Sequence, residues 1–342
     1  MKKILAITVA VMIMLTGCTP IENNLDKRLI VQGIGIDLNS GNYTITAMYM
    51  DTQQPVGEAD VTSSYAQGEG NSISAALTDT AAKVGKEPLY GQCSFILLGK
   101  GVTGNNIKDS LKFFTNYYEF SPGLKIFCSE EKAEDIMKSE NMSDSLIKDF
   151  CNSEKSTGKS LNPALYEVYS CLAGNKGDIA IARLILNEKN TVLDGAVAFD
   201  GDKSAATLDG SECTAAILIR GKGDNIWDNF IESGKEINYS LSGCNTNIKL
   251  TDNGFEIILK AKVNLYATDP SEDTRSKIEA RIESICKKTI DRILKENNCD
   301  IFNFERELYV QNYSVYRMLY NPAEYVRKSN FKVKAEIDLQ AV

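Results

Sequence analysis

The sequence predicts an α+β protein, an elongated multi-domain chain of mixed sheets packed with helices. The chain ends in an α+β domain with one long amphipathic helix. Strand-like runs of β-branched residues recur from Leu29 onward, and helical periodicity separates the early strands. Between residues 255 and 297, an alternating strand precedes the clearest amphipathic helix. A strand that alternates in this way has one apolar face, which needs a helix or a second sheet to cover it.

The first 17 residues are predicted to be a lipoprotein signal peptide. Two lysines precede an uncharged run from Ile4 to Leu15, and two small residues follow it. This run is shorter than the roughly 20 residues that a membrane-spanning helix needs. The sequence LTGC, which ends at Cys18, fits the bacterial lipoprotein box. We expect cleavage before Cys18 and lipidation of its thiol, with two acyl chains as the anchor. The alternative is an ordinary signal peptide whose cysteine has no role.

Composition excludes several functions. The chain has no histidine, which removes Ser-His-Asp and Cys-His catalysis and His-containing zinc sites. None of the cysteines after Cys18 forms a C-x-x-C pair, so we expect most of them to be small buried hydrophobic residues. The formal net charge of -8 disfavours nucleic acid and electrostatic binding to anionic lipid. No cofactor and no metal site is predicted.

The N-terminal domain is predicted over residues 29–178, behind a polar tether at 18–28. It begins with a hairpin of LIVQGIGID and YTITAMYM, followed by a loop from Gln53 to Gly70. The next helix has Ser72 as its N-terminal cap and Gly85 as its stop. The remaining predicted elements are strands at 93–99 and 124–128 and helices at 107–114, 130–139, 144–151 and 163–173.

Residues 179–235 are predicted to form a strand-rich middle domain, because the pattern becomes almost entirely extended at Ile179. A short helix or turn is expected at Asn225–Glu232. The four predicted strands are IAIARLIL, TVLDGAVAFD, KSAATL and CTAAILIR.

The C-terminal α+β domain is predicted over 236–342. The strands TNIKL and 255–265 precede a helix at about 272–297, whose apolar face should cover the sheet rather than dock a partner. Extended segments ELYVQNY and FKVKAEIDLQAV flank a short helix near Tyr316–Val326. The apolar face of the long helix contains Ile278, Ile282, Ile285 and Ile293.

Two short motifs have better structural than functional explanations. Gly33-x-Gly35 leads into a second strand, whereas a dinucleotide-binding turn leads into a helix. These glycines therefore indicate a bulge or a close backbone approach. Asp37 ends a strand before a turn, where short polar residues have a structural role. Carboxylates are plentiful, but no pair is singled out as a hydrolase site.

Two S-x-x-K sequences match the nucleophile and base of penicillin-recognising enzymes. They begin at Ser129 and Ser156 and end at Lys132 and Lys159, but the K-T-G and S-D-N elements of those enzymes are missing. Ser129 is better explained as a helix cap.

Five tyrosines near the C-terminus either line a recognition surface or pack within the sheet and helices, and packing is the preferred interpretation. They are Tyr309, Tyr313, Tyr316, Tyr320 and Tyr325.

Several segments occur together in a particular order. After Cys18 they are LIVQGIGID at 29–37, GNSISAAL at 70–77, PLYGQCSFILLGKG at 88–101, KFF at 112–114, AEDIM at 133–137, GAVAFDGDKSAATLDGSE at 195–212, the 255–265 strand, the Ile-rich helix and DIFNF at 300–304. In this order they resemble the Ger(x)C family, the lipoprotein C subunits of bacterial spore germinant receptors. The chain departs from the family at Thr19, Gln92 and Tyr316, where members often have Trp, His and Trp.

The resemblance implies three consecutive mixed α/β domains without a catalytic site, working with a polytopic A subunit and a transporter-like B subunit. It predicts a non-enzymatic, membrane-anchored lipoprotein subunit, required for nutrient-triggered spore germination. The protein would lie on the outer face of the cell membrane or on the spore inner membrane, with no nucleic-acid partner.

Two other functions remain open. A substrate-binding lipoprotein of an importer should have two doubly wound lobes, and an exported hydrolase should have acids that converge in a deep cleft.

Overall fold

A computed structural model describes residues 28–50, 63–174, 178–232, 234–266 and 271–341. The expected signal peptide, the lipidation site Cys18 and most of the tether therefore lie outside the described residues. Two sheets and the helices packed on them confirm the predicted α+β class.

The first sheet contains nine strands in the described residues. They are β1 (Arg28–Asn39), β2 (Asn42–Met50), β3 (Ser63–Gly70), β4 (Glu87–Leu89), β5 (Phe95–Leu98), β6 (Lys125–Cys128), β7 (Ile179–Asn187), β8 (Asn190–Asp200) and β9 (Lys203–Leu208). Their order is β3-β2-β1-β5-β6-β7-β8-β9, with β4 paired to β1. The central pairs β1–β5, β5–β6 and β6–β7 are parallel, and the outer pairs are antiparallel. The sheet is therefore mixed, as predicted.

Six helices belong to the same part of the chain. They are α1 (Ile73–Val84), α2 (Val102–Asn105), α3 (Ile107–Asn116), α4 (Ala133–Met137), α5 (Asp144–Ser156) and α6 (Leu165–Gly174). The Ser72 hydroxyl accepts a hydrogen bond from the Ala75 N–H at 3.2 Å, and Gly85 ends α1 in the left-handed conformation, at φ 70°. Both predicted ends of α1 are confirmed.

The loop predicted from Gln53 to Gly70 is wrong over its second half, where β3 pairs with β2 along its whole length. Ser and Gly have low strand propensity, but pairing with a neighbouring strand overrides it. The glycines have a packing role, because β-carbons at Gly68 and Gly70 would overlap α1.

The segment CTAAILIR was predicted to be a strand, but it lies in helix α7 (Gly210–Ile219). Every residue from Cys213 to Ile219 is buried. An apolar run that is buried on all sides has no periodicity that distinguishes a helix from a strand. The sequence did contain a helix signal, since Asp209 and Glu212 form a capping box at the start of α7.

The second sheet consists of β10 (Ile226–Glu232), β11 (Lys235–Thr251), β12 (Gly254–Tyr266) and β13 (Asn330–Ala341), in that order. The short helix or turn expected at Asn225–Glu232 is therefore wrong. Residues of β10 alternate between Ile226, which is buried, and Trp227, which is exposed, so this segment has strand periodicity.

The long amphipathic helix is confirmed as α8 (Glu272–Thr289), which continues as a π-helical segment, Ile290–Glu296. The four isoleucines of its predicted apolar face are all buried. Three shorter helices follow, namely α9 (Phe304–Gln311), α10 (Tyr313–Met318) and α11 (Pro322–Lys328). ELYVQNY was predicted to be extended, and this is wrong because most of it lies in α9. Its β-branched and aromatic residues indicated a strand, whereas the α9 N-terminus is fixed by the Asp300 carboxylate.

The boundary predicted near residue 178 lies within one sheet. Strand β7 pairs in parallel with β6, so the strands of the predicted middle domain extend the first sheet. Helix α7 then shares a hydrophobic core with β8 on one side and with α8 and β12 on the other. The division into domains at 29–178, 179–235 and 236–342 stays a prediction.

Candidate partner-binding surface

Exposed apolar side chains concentrate on α9, α10 and the residues after them. Nine large hydrophobic side chains are exposed in the described part of the chain, and five of these lie between residues 309 and 320. We call these five the aromatic surface: Tyr309, Val310, Tyr313, Met318 and Tyr320. Each is at least 47% exposed. A concentration of this kind marks an interaction site more often than scattered exposed residues do.

Caps and ring contacts hold α9 and α10 in place. The Asp300 carboxylate accepts hydrogen bonds from the Phe304 N–H at 3.1 Å and the Glu305 N–H at 2.8 Å, which begins α9. The Tyr316 hydroxyl on α10 donates to the Glu305 carboxylate on α9 at 2.9 Å. The Tyr309 ring meets the Tyr316 ring edge to face, with centroids 5.2 Å apart. The exposed rings are therefore presented by a fixed pair of helices.

A cavity of about 390 Å³ adjoins this surface. Tyr309 and Val310 form part of its wall, and the charged groups of Glu305 and Arg306 form another part. A surface with aromatic and Arg side chains around a concavity has the composition found at the centre of protein interfaces.

The five tyrosines singled out in the sequence divide into two groups. Tyr316 and Tyr325 are partly buried and pack against the hydrophobic core. Tyr309, Tyr313 and Tyr320 are exposed. The preferred packing interpretation holds for the first pair, and the recognition alternative fits the other three.

Carboxylates also converge beneath α9, at the junction of the two sheets. Asp178, Asp200, Asp300 and Glu305 line a cavity of about 410 Å³, together with Arg327. The Asp178 carboxylate accepts a hydrogen bond from the Asp300 N–H. Burial, assisted for Asp178 by the neighbouring charges of Asp200 and Asp300, raises the pKa of both Asp178 and Asp300 to about 6.

The hydrogen bonds of these two carboxylates give them a structural role, which is to connect the two halves of the chain. Asp178 precedes β7 of the first sheet, and Asp300 precedes α9 of the second half. Asp300 is 8% exposed and both of its oxygens accept backbone N–H groups. No carboxylate pair stands out in the sequence, where Asp300 is distinguished only by its position in DIFNF.

Family models match both halves of the chain. The model of the spore germination protein N-terminal domain matches residues 22–186, and that of the spore germination B3/GerAC-like C-terminal domain matches residues 194–342. The chain belongs to the GerAC family of spore germination proteins. The resemblance to the Ger(x)C family is thus confirmed.

The crystal structure of the GerBC protein is similar to this family member, with a TM-score of 0.60 at 15% sequence identity. The similarity covers 91% of this chain and 97% of that chain, and it shows a common fold. A comparison with curated proteins finds no match.

One serine and one lysine of the S-x-x-K sequences have other partners in this GerAC protein. The Ser129 hydroxyl accepts a hydrogen bond from the Glu131 N–H at 3.1 Å and does not cap α4, so that expectation was wrong. The Lys159 ammonium lies 3.4 Å from the Asp228 carboxylate.

The side chain that accepts a hydrogen bond from the N-terminus of α4 is Asp37, at 2.9 Å from the Ala133 N–H. Asp37 therefore has a structural role.

The cysteines of the GerAC chain, its potential metal ligands and its helices also bear on function. Eight cysteines lie in the described residues, and five of them are buried. Burial raises the pKa of the Cys93 thiol to about 12, so it stays protonated near neutral pH. Within the described ranges, no group of three or more potential ligands could hold a metal ion. No helix in the described part of the chain is both long and apolar enough to cross a membrane.

Proposed function

We propose that this protein is the lipid-anchored, non-enzymatic C subunit of a spore germinant receptor, required for nutrient-triggered germination. The aromatic surface is the observation that carries the proposal, because it offers exposed Tyr and Met side chains on two fixed helices. Membership of the spore germination family supports the biological setting. The partners are the polytopic A and transporter-like B membrane subunits, and nucleic acid is not a partner.

The membrane anchor is the acylated Cys18. The signal sequence and the LTGC box support this assignment, and two acyl chains on one residue give stable attachment. The anchored protein lies on the outer face of the cell membrane or on the spore inner membrane.

Two observations favour a binding role over catalysis. The chain has no histidine, and the convergent carboxylates Asp178 and Asp300 are engaged by backbone N–H groups. The importer alternative requires two doubly wound lobes, whereas the described strands form one mixed nine-stranded sheet and one four-stranded sheet.

The surface is tested by changing Tyr309, Tyr313 and Tyr320 together to Ser in the full chain, in sporulating cells. The triple variant should still fold and accumulate, because all three rings are exposed and the Tyr316–Glu305 hydrogen bond between α9 and α10 remains. Loss of the Tyr309–Tyr316 ring contact should cost only about 1 kcal/mol. It should fail to co-purify the A and B subunits from solubilised spore membranes, and germination should be slowed. Tyr118→Ser is the matched control, since Tyr118 is 88% exposed and lies outside the aromatic surface. Retention of both partners by the triple variant would refute the surface assignment.

The anchor is tested separately with Cys18→Ala. We expect this variant to incorporate no labelled fatty acid and to remain as an uncleaved precursor. Labelling of the variant at the wild-type level would identify another residue as the acceptor.

A further inference from the structure

The largest of the cavities around α9 has a different chemistry from the aromatic surface. Its volume is about 680 Å³, and its walls come from both halves of the chain. The first half contributes α6, the start of β7 and the residues after α7, and the second half contributes β11, α9 and the segment before α9. Small-molecule sites often lie between structural units and commonly measure roughly 300–1,000 Å³.

Positive charge predominates in this cavity, although the whole chain is acidic with a formal charge of -8. Its cationic residues are Arg220, Lys222 and Arg306, and its acidic residues are Glu167 and Glu307. We call it the cationic cleft.

Both acidic residues of the cleft already have partners in the protein. Glu167 accepts from the Ala164 N–H at 2.8 Å and lies 3.4 Å from the Lys222 ammonium. Although burial opposes the shift, these two contacts and the charge of Arg220 lower the pKa of Glu167. Glu307 accepts from the Gln311 amide at 2.9 Å. Neither carboxylate has a hydrogen bond to Arg220 or Arg306.

Arg220 is the unsatisfied group of the cleft. Its Nε is buried and has no hydrogen-bond partner among the described residues. A buried donor without an acceptor is costly, and more so when it is charged. The Arg306 side chain also forms no hydrogen bond or ion pair within the described ranges, and Arg306 lines the same cavity. Two guanidinium groups therefore face one cavity without an acceptor from the protein.

The position of Arg220 is fixed before any ligand arrives. It is the C-terminal cap of α7, and its N–H donates to the Ala216 carbonyl at 3.1 Å. Because α7 is buried on all sides, the base of this side chain has little freedom to move.

We propose that the cationic cleft binds a small carboxylate-bearing molecule, held by Arg220 and Arg306. A guanidinium binds a carboxylate through two parallel hydrogen bonds, and two arginines line this one cavity. The small excess of positive charge suits a singly charged group, and Ile219 and Phe302 provide apolar contacts for the rest of the molecule.

The experiment uses the full chain purified in detergent, without other receptor subunits. Saturation-transfer NMR is recorded with propionate, succinate and benzoate, and with the corresponding neutral amides as control ligands. We expect the carboxylates to bind and the amides not to bind. Arg220→Gln and Arg306→Gln should each weaken carboxylate binding at least tenfold. Arg306 is exposed, so its replacement tests the site even if Arg220→Gln does not fold.

Lys262→Gln is the matched control, because Lys262 is an exposed cation that does not line the cleft. It should bind carboxylates as the wild type does. The proposal is overturned if no carboxylate binds, if the amides bind equally well, or if both arginine variants bind normally. Preference for inorganic phosphate would overturn the ligand class. Because the assay contains no partner subunit, its result is independent of the aromatic surface.

Discussion

Gly33 leaves a space in β1 that the Phe95 ring occupies. A β-carbon at this position would overlap that ring, and Phe95 is fully buried and cannot move aside. We expect Gly33→Ala to lower the free energy of unfolding by roughly 1–3 kcal/mol through overpacking, measured by urea denaturation. Gly104→Ala is the control, since a β-carbon there meets no atom within 4 Å. Equal stability of the two variants would mean that the sheet rearranges around Phe95.

Asp178 should make the stability of the protein depend on pH. Its pKa is raised from 3.8 to about 6 by burial and by the nearby carboxylates, so it binds its proton more tightly in the folded than in the unfolded chain. The contribution of Asp178 to the free energy of unfolding should therefore fall as the pH rises from about 4 to about 6. The contribution of Asp178 is at most about 3 kcal/mol.

Urea denaturation at several pH values measures this dependence. Asp178→Asn retains an oxygen that can accept a hydrogen bond from the Asp300 N–H. Between pH 4 and pH 6, its free energy of unfolding should decrease less, or increase more, than that of the wild type. Asp252→Asn is the control, because Asp252 is exposed. Its free energy of unfolding should depend on pH as that of the wild type does. A profile of Asp178→Asn that coincides with that of the wild type would contradict the assignment.

These residues show which parts of a site can be predicted from sequence. Gly33 was interpreted as part of a bulge or a close backbone approach, and the register shift between Val31 and Gly33 confirms the bulge, which belongs to the local strand pattern. Its contact with Phe95 could not be predicted, because Phe95 lies on another strand. Asp178 and Asp300 were missed because they are 122 positions apart, so only the folded chain brings them together. The exposed tyrosines could be selected by composition, but their exposure depends on how α9 and α10 pack.

At the scale of single elements, α8 performs two tasks for the second sheet. Its apolar face buries Ile282, which is 2% exposed, against the sheet. Its polar edge supplies Glu279 and Glu283, whose carboxylates accept the Ile337 N–H at 3.1 Å and the Ala335 N–H at 2.9 Å of strand β13. Because β13 is an edge strand, these contacts protect backbone groups that would otherwise be free to pair with another chain.

Ile282→Asp should place an unpaired charge beneath the second sheet. We expect a loss of several kcal/mol in the free energy of unfolding, seen in denaturation curves and as loss of the protein from spore membranes. Lys288→Gln, on an exposed position of the same helix, should have little effect. If Ile282→Asp accumulates and unfolds like the control, the apolar face of α8 is a docking face instead.

The elements that were assigned wrongly have a common physical cause. The buried segment in α7 and the exposed Tyr309 and Val310 in α9 have local patterns that their tertiary surroundings override. Elements with one clear apolar face, such as α1, β12, α8 and β13, were assigned correctly because burial on one side leaves a period in the sequence.

At the scale of the whole molecule, α7 joins the two sheets into one packed body. The core that contains α7 includes residues of β8 and β9 from the first sheet and of β12 and α8 from the second half. The Arg292 guanidinium on the π-helical segment after α8 adds a bridge, since it donates to the Glu212 carboxylate on α7 and to the Thr207 carbonyl on β9. The two sheets should therefore lose their structure together.

Ala216→Asp tests this coupling, because Ala216 lies in α7 and is 0% exposed. An unpaired carboxylate there should destabilise both sheets by the same amount. Hydrogen exchange in increasing urea measures this, by comparing backbone amides of β5 and β6 with those of β12. In the wild type, both sets should lose protection at one urea concentration, and in the variant both should shift equally to a lower one. Ala280→Asp makes the same change at an exposed position of α8 and should cost far less. Protection that persists in β5 and β6 after β12 has exchanged would mean that the sheets unfold independently and that α7 stabilises only the second.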